Sequence, residues 1–205
     1  MACRNICTNM PASCRSMLEK SALLVITHGS EEMEAVITAD ILRRGGVDVT
    51  IASLLDDNCV TCSRDVKICA DAKFADVSKS QKYDVVILPG GWSGSTAFES
   101  SVALGDLLKE QVKEDRVIAA ICAAPIALKA HGIGKGKKIT SYPSVRSELV
   151  GMYDYSEDRV VTDGNLITSR GPATAFDFGL AIVEKLLDKE TACMVAKQLL
   201  YTNYC

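Results

Sequence analysis

The sequence predicts an α/β fold: a three-layer sandwich on a mostly parallel sheet, with one antiparallel hairpin attached. Three observations carry that prediction. Apolar runs at residues 22–27, 84–88 and 117–121 show almost no polar alternation, as expected of strands buried on both faces. Segments with helical spacing follow these runs, so strands and helices alternate along the chain. Near the C-terminal end, Asp163-Gly164 separates two β-rich segments, the two-residue signal of a hairpin with a type I′ turn. The 205 residues suit one domain. Hydrophobic residues at 48% and charged residues at 24% are ordinary globular usage and exclude a disordered or fibrous chain. A net charge of −3 leaves no basic footprint for nucleic acid. No apolar run reaches the roughly 18 residues of a membrane span.

Taken in order, the first 19 residues form an extension and residues 20–205 form the domain. The extension carries Arg4 and Arg15, no acidic residue through Leu18, hydroxyls at Thr8, Ser13 and Ser16, and no apolar core of a secretory signal. That composition fits a mitochondrial transit peptide or a disordered extension bypassed by starting at Met17. After the run at 22–27, Ser30 is placed to cap a helix whose first turn holds Glu31, Glu32 and Glu34. Its apolar stripe is Met33, Val36, Ile37, Ile41 and Leu42, ending at Gly45-Gly46. Residues 47–51 alternate as a second strand, and residues 59–69 suggest a short extended excursion. The run at 84–88 stops at Pro89-Gly90-Gly91, residues 102–112 read as a helix, and Cys122 follows the run at 117–121 directly. Pro125 fits a helix's first turn and Gly132 its end, with His131 beside the negative end of the dipole. Residues 159–162 and 165–168 form the hairpin. Helices over about 172–187 and 190–200 close the chain.

In an open parallel sheet, ligands bind outside the carboxyl ends of the strands. Three strand ends deliver Thr27-His28-Gly29 with three glutamates, Pro89-Gly90-Gly91, and Cys122-Ala123-Ala124. A cysteine between a buried strand and a helix start is either an inert core thiol or a reactive one. The helix dipole and free N–H groups favour its thiolate, and small neighbours permit a sharp, exposing turn like a nucleophile elbow. Gly90-Gly91 allows positive φ and close backbone approach, so with the N–H of Ala123 it could form an oxyanion hole; equally, it could be a plain turn. The glutamates could be dipole partners, or one could be protonated beside the sulfur and donate to it. His28 borders either the pocket or only a loop.

These residues resemble a known family. Gly29 through Glu34, Cys62-Ser63-Arg64-Asp65-Val66, Asp84 through Gly91, Ala119-Ala120-Ile121-Cys122-Ala123 and Thr168-Ser169-Arg170-Gly171-Pro172 look like the parkinsonism-associated protein deglycase branch of the ThiJ/PfpI superfamily. The resemblance runs from about residue 20 to 190. It implies a flavodoxin-like homodimer in which Cys122 is the nucleophilic, oxidisable cysteine and Glu34 the carboxylic acid bonded to it. It also implies Gly91 and Ala123 N–H groups at the site, with Arg64 and Arg170 near the pocket; Gly90, Tyr142 and His28 are expected to line it as well. Cys62 and Cys69 match secondary redox cysteines, the latter near the dimer contact. One position departs. Thr140-Ser141-Tyr142-Pro143 has tyrosine where many members carry histidine, and a phenol is no base near neutral pH, so proton transfer falls to Glu34. Ala123 stands where the protease branch has histidine, which lowers peptidase activity.

Nine cysteines are below the roughly 8–10% of a disulfide scaffold and cannot all pair, so the composition favours free thiols in a reducing compartment. The expected location is cytoplasmic, with mitochondrial and nuclear pools. Cys59-Val60-Thr61-Cys62 with Cys69 lacks a fourth ligand, so no metal and no cofactor is expected. Cys193 reads as core, and Cys205 as a frayed end. Two functions follow. One is an enzyme acting on small 2-oxoaldehydes such as methylglyoxal and glyoxal, or on their early adducts with amines and thiols. The other is a redox sensor whose Cys122 becomes a sulfinate and signals to protein partners or acts as a redox-regulated chaperone. A glutamine amidotransferase needs a downstream His and Glu pair that the sequence lacks.

Overall fold

A computed structural model describes residues 20–205, so the readings made for residues 1–19, with Cys3, Cys7 and Cys14, lie outside the described residues. The chain runs β1 (Ser21–Ile26), α1 (Glu32–Arg44), β2 (Asp48–Ser53), β3 (Cys59–Thr61), β4 (Lys67–Cys69), β5 (Ala72–Lys73) and α2 (Phe74–Val77). It continues through β6 (Val85–Leu88), α3 (Trp92–Ser100), α4 (Val102–Lys113), β7 (Val117–Ile121), α5 (Pro125–Ala130), β8 (Lys138–Ile139), α6 (Arg146–Leu149) and β9 (Asp154–Tyr155). It ends with β10 (Val160–Asp163), β11 (Leu166–Ser169), α7 (Ala175–Leu186) and α8 (Lys189–Gln198).

Seven strands make the main sheet in the order β10-β11-β7-β6-β1-β2-β5, parallel except where β10 runs against β11. The three apolar runs of the sequence are its centre. Each is buried along its length because α1, α7 and α8 pack as one layer while α3, α4 and α5 lie together as another. Glycines let α1 and α7 approach: a Cβ on Gly179 would lie 3.0 Å from Ile41 Cδ1, and one on Gly45 3.1 Å from Val183. The three-layer expectation is borne out. After β1 the chain steps to β2 on one side and later to β6 on the other, so the sheet changes direction there. The ends of β1, β6 and β7 are therefore neighbours at the crevice where such folds hold ligands.

Several local expectations change. Ser30 is not the cap of α1: its Oγ accepts from Thr27 N at 3.0 Å, and Glu31 caps by accepting from Glu34 N at 2.8 Å. The inward stripe of α1 is Glu34, Ala35, Thr38, Ala39, Ile41 and Leu42, while Met33 and Val36 face outward at 51% and 53% exposure. Packing against α7 at Ile41 sets that rotation, and it carries Glu34 into the interior. The hairpin forms, but Asp163 pairs with Leu166, so the turn is Gly164-Asn165. Gly164, at φ 62°, is its first central residue, where type II′ turns rather than type I′ place glycine.

Free thiols throughout also proved wrong. Cys59 is bonded to Cys69 and Cys193 to Cys205, leaving Cys62 and Cys122 free among the described residues. Cys193 is thus half-buried and cross-linked rather than core, and Cys205 is tied rather than frayed.

Candidate active site

Cys122 occupies the turn between β7 and α5 with φ 65°, a conformation that costs a residue with a Cβ and persists only where neighbours impose it. The neighbours are visible. Its N–H donates to Ser169 O on adjacent β11 at 3.0 Å, and its carbonyl accepts from Tyr142 N at 2.8 Å. Ala119, Ala120, Ala123 and Ala124 around it are all buried, so the turn is packed without bulky side chains. Only 8% of Cys122 is exposed.

Glu34 reaches the same point from the first turn of α1 and is wholly buried. Its Oε2 accepts from Gly90 N at 2.7 Å, its Oε1 has no hydrogen-bond partner, and the carboxyl lies beside the Cys122 side chain. The position a Cβ on Gly90 would take is 2.7 Å from Glu34 Oε2 and 3.0 Å from Cys122 Sγ, so only glycine leaves room there. Gly91, at φ 86°, passes so close to Gly29 O that a Cβ would collide with it. The backbone N–H groups of Gly91 and Ala123 both favour the charged form of the sulfur. Glu31 N donates to Gly90 O at 2.9 Å, locking the two loops together.

Burial pushes the Glu34 carboxyl up to about 8, against the smaller pull of the Gly90 N–H, so at neutral pH it holds its proton. Burial likewise pushes the Cys122 thiol up to about 12, the negative charge of an ionised Glu34 adds to this, and the N–H groups of Gly91 and Ala123 oppose it. Helix and N–H groups alone therefore do not make the thiolate, a correction to the sequence reading. A neutral Glu34 removes that repulsion and leaves burial as the force that the N–H groups of Gly91 and Ala123 oppose.

The other expected residues divide. Tyr142 and Arg170 line a cavity of about 440 Å³ with Glu157, Arg159 and Gly171, joined to Cys122 through the bond that its carbonyl accepts from Tyr142 N. Arg170 Nη1 donates to Glu157 O at 2.7 Å. Arg64 is exposed: its backbone N–H donates to Glu32 Oε1 at 2.8 Å, and its guanidinium turns back to Ser63 O. His28 is exposed, and its Nδ1 accepts from Thr61 N at 3.0 Å, so the ring braces β3. His131 Nε2 lies 2.9 Å from Phe98 O, away from the site. Burial pushes the Cys62 thiol up to about 11, and Glu32 and Glu31 add to it, so that thiol is held protonated. Sequence reasoning missed Ser63 and Glu32 as a clasp, Oγ to Oε2 at 2.8 Å. It also missed the Cys59–Cys69 pair, although Cys59/Cys69, Val60/Ile68 and Thr61/Lys67 are spaced symmetrically about Arg64. Among the described residues no group of three or more His, Cys, Asp or Glu is arranged to hold a metal ion.

The family model described as the DJ-1/PfpI family matches residues 20–185. Drosophila melanogaster dj-1beta is 53% identical over 184 residues, covering 89% of this chain and 98% of that protein. Its crystal structure superposes with a TM-score of 0.87 over the same shares of both chains. A Caenorhabditis elegans protein named a glutathione-independent glyoxalase is 40% identical, covering 88% of this chain and 96% of its own length. A Toxoplasma gondii DJ-1 solved in an oxidised form is 37% identical with a TM-score of 0.84, covering 89% of this chain and 99% of that one. The sheet, the strained cysteine at its crevice and these matches agree, and the chain belongs to the DJ-1/PfpI family.

Proposed function

We propose that this protein protects against reactive carbonyls, with Cys122 and Glu34 converting small 2-oxoaldehydes, or their early adducts with amines and thiols, to 2-hydroxy acids. The observation that carries this reading is a strained, pinned cysteine whose sulfur faces a buried carboxylic acid and two backbone N–H groups. The thiolate adds to the aldehyde carbon of methylglyoxal, and the new C–S bond leaves an alkoxide. The Gly91 and Ala123 N–H groups are freed from the sulfur's charge to stabilise that oxygen. Glu34 donates its proton to the alkoxide and, now a carboxylate, takes the hydrogen from the former aldehyde carbon. Returning that proton to the neighbouring carbon, while the hydroxyl proton passes to the neighbouring oxygen, gives a thioester of lactate, and water releases lactate and restores the thiol. No histidine is required, which suits Tyr142. The relative named a glyoxalase supports the reaction class. Met33 and Val36, an exposed apolar pair on one face of α1, together with family membership support a homodimer. The Cys122→Ala variant is expected to lose at least about 10³-fold in lactate formation from methylglyoxal. Lactate at the wild-type rate would overturn the reading.

A second reading has its own support. The donors around Cys122 would also hold the oxygens of a sulfinate, and the Toxoplasma relative was solved oxidised. In that case Cys122 reports oxidants to protein partners or a chaperone-like surface. Graded peroxide followed by peptide mass spectrometry is expected to oxidise Cys122 before Cys62, because backbone N–H groups of Gly91 and Ala123 favour an anion at Cys122 whereas the Glu32 and Glu31 carboxylates oppose one at Cys62. Oxidation of both at the same dose would exclude selective sensing.

A further inference from the structure

The hairpin of β3 and β4 stands apart from the main sheet as its own two-stranded sheet. A hairpin of that size has little stability alone. Cys59 lies directly opposite Cys69 in its register, both are exposed, and the two are bonded. The bond sits at the open end. At the closed end Asp65 takes φ 64° and Cys62 N donates to Val66 O at 2.8 Å.

What the hairpin touches gives the pair its meaning. Gly29 N donates to Thr61 O at 2.9 Å, Ser63 N donates to Ser30 O at 2.9 Å, and Thr61 N donates to His28 Nδ1 at 3.0 Å. Ser63 Oγ and Arg64 N both donate to the Glu32 carboxylate at 2.8 Å. Each of these bonds falls on the loop between β1 and α1 or on the first turn of α1. That loop presses Gly29 O against Gly91, and that turn carries Glu34.

We propose that Cys59 and Cys69 form a second redox site, a reversible dithiol–disulfide couple whose closure braces the loop that positions Gly91 and Glu34 at Cys122. Its co-reactant is a low-molecular-weight disulfide in closing and the corresponding thiol in opening. In closing, the thiolate of one cysteine attacks a sulfur of the small disulfide and expels one thiolate. The second cysteine then attacks the mixed disulfide and expels the other. The protein loses two protons and two electrons, and the small disulfide becomes two thiols. Exposure of both sulfurs permits this exchange, whereas buried Cys62 is shielded from it. With the brace closed the donors to Cys122 are held in place, and with it open they are free to drift.

The test uses the full chain equilibrated in oxidised and reduced glutathione at graded ratios, then freed of glutathione. Peptide mapping after differential alkylation scores the Cys59–Cys69 bond, and the same molecules are timed for Cys122 alkylation by iodoacetamide. The bond is expected to titrate reversibly, with Cys122 alkylated about 3–10-fold faster in the closed form. Cys59→Ser and Cys69→Ser should each fix the rate at the open value whatever the ratio, while Cys193→Ser should still respond. A Cys122 rate independent of the Cys59–Cys69 state, or no bond at any ratio, would overturn the proposal. Alkylation reads thiol reactivity and not turnover, so this outcome is separable from a failure of the carbonyl chemistry.

Discussion

Glu34→Gln is expected to lower lactate formation from methylglyoxal by about 10²–10⁴-fold while Cys122 alkylation at neutral pH stays within about threefold of wild type. The amide is nearly isosteric. Its oxygen can take the Gly90 N–H now bonded to Oε2 at 2.7 Å, and its NH₂ can donate to the sulfur as the carboxylic acid does. What it cannot do is release a proton to the alkoxide and then accept one from carbon. Loss of both turnover and alkylation would mean that Glu34 only supports the fold of the site.

The same substitution has a signed effect on stability. Burial raises Glu34 from an ordinary 4.5 to about 8, so the unfolded chain ionises first as pH rises. The folding advantage of the neutral carboxyl is fully present below about 4.5 and is lost as pH climbs through about 8. Across that window wild type should lose about 2–5 kcal/mol that the Gln variant keeps. Urea titrations at the two ends of the window read this directly. An unchanged gap between the proteins at both ends would show that Glu34 is not held neutral.

Gly91→Ala is expected to cost about 2–5 kcal/mol of stability and to abolish the rapid alkylation of Cys122. Two terms add. The residue sits at φ 86°, where a Cβ is disfavoured, and that Cβ would strike Gly29 O and come within 2.8 Å of Glu31 N. Relief requires the loop after β6 to move, and that loop supplies both the N–H to the sulfur and the Gly90 N–H to Glu34. Gly46 serves as the control, since it also has positive φ, at 86°, but nothing within 4 Å of an added Cβ. Gly46→Ala should cost only the backbone term, about 1–2 kcal/mol, and leave Cys122 untouched. Equal effects of the two substitutions on Cys122 would remove Gly91 from the site.

The strands at 22–27, 84–88 and 117–121 were readable because burial on both faces leaves an unbroken apolar run, and β7 occupies Val117–Ile121 as expected. Cys122 was readable because it directly follows such a run. Glu34 needed the family resemblance, since three glutamates cluster at the start of α1, Glu32 is buried as well, and only the packing of α1 on α7 decides which one faces Cys122. The cysteine pairs were opaque for a different reason. Whether Cys59 meets Cys62 or Cys69 depends on hairpin register, and whether Cys205 returns to Cys193 depends on the path after α8. Local composition encodes neither. The hairpin turn slipped by one residue because Asp-Gly and Gly-Asn are both good two-residue turns in Asp163-Gly164-Asn165, and the pairing of β11 with β7 chose between them.

The proposed chemistry turns on a division of charge: Glu34 keeps its proton so that Cys122 can give up its own. The pH dependence of Cys122 alkylation, followed at the peptide level in wild type, measures that division directly. The expected profile rises through an apparent thiol value below the roughly 8.5 of a free cysteine. A profile that stays flat until well above 8.5 would mean that burial governs the sulfur and that the carboxylic acid does not activate it.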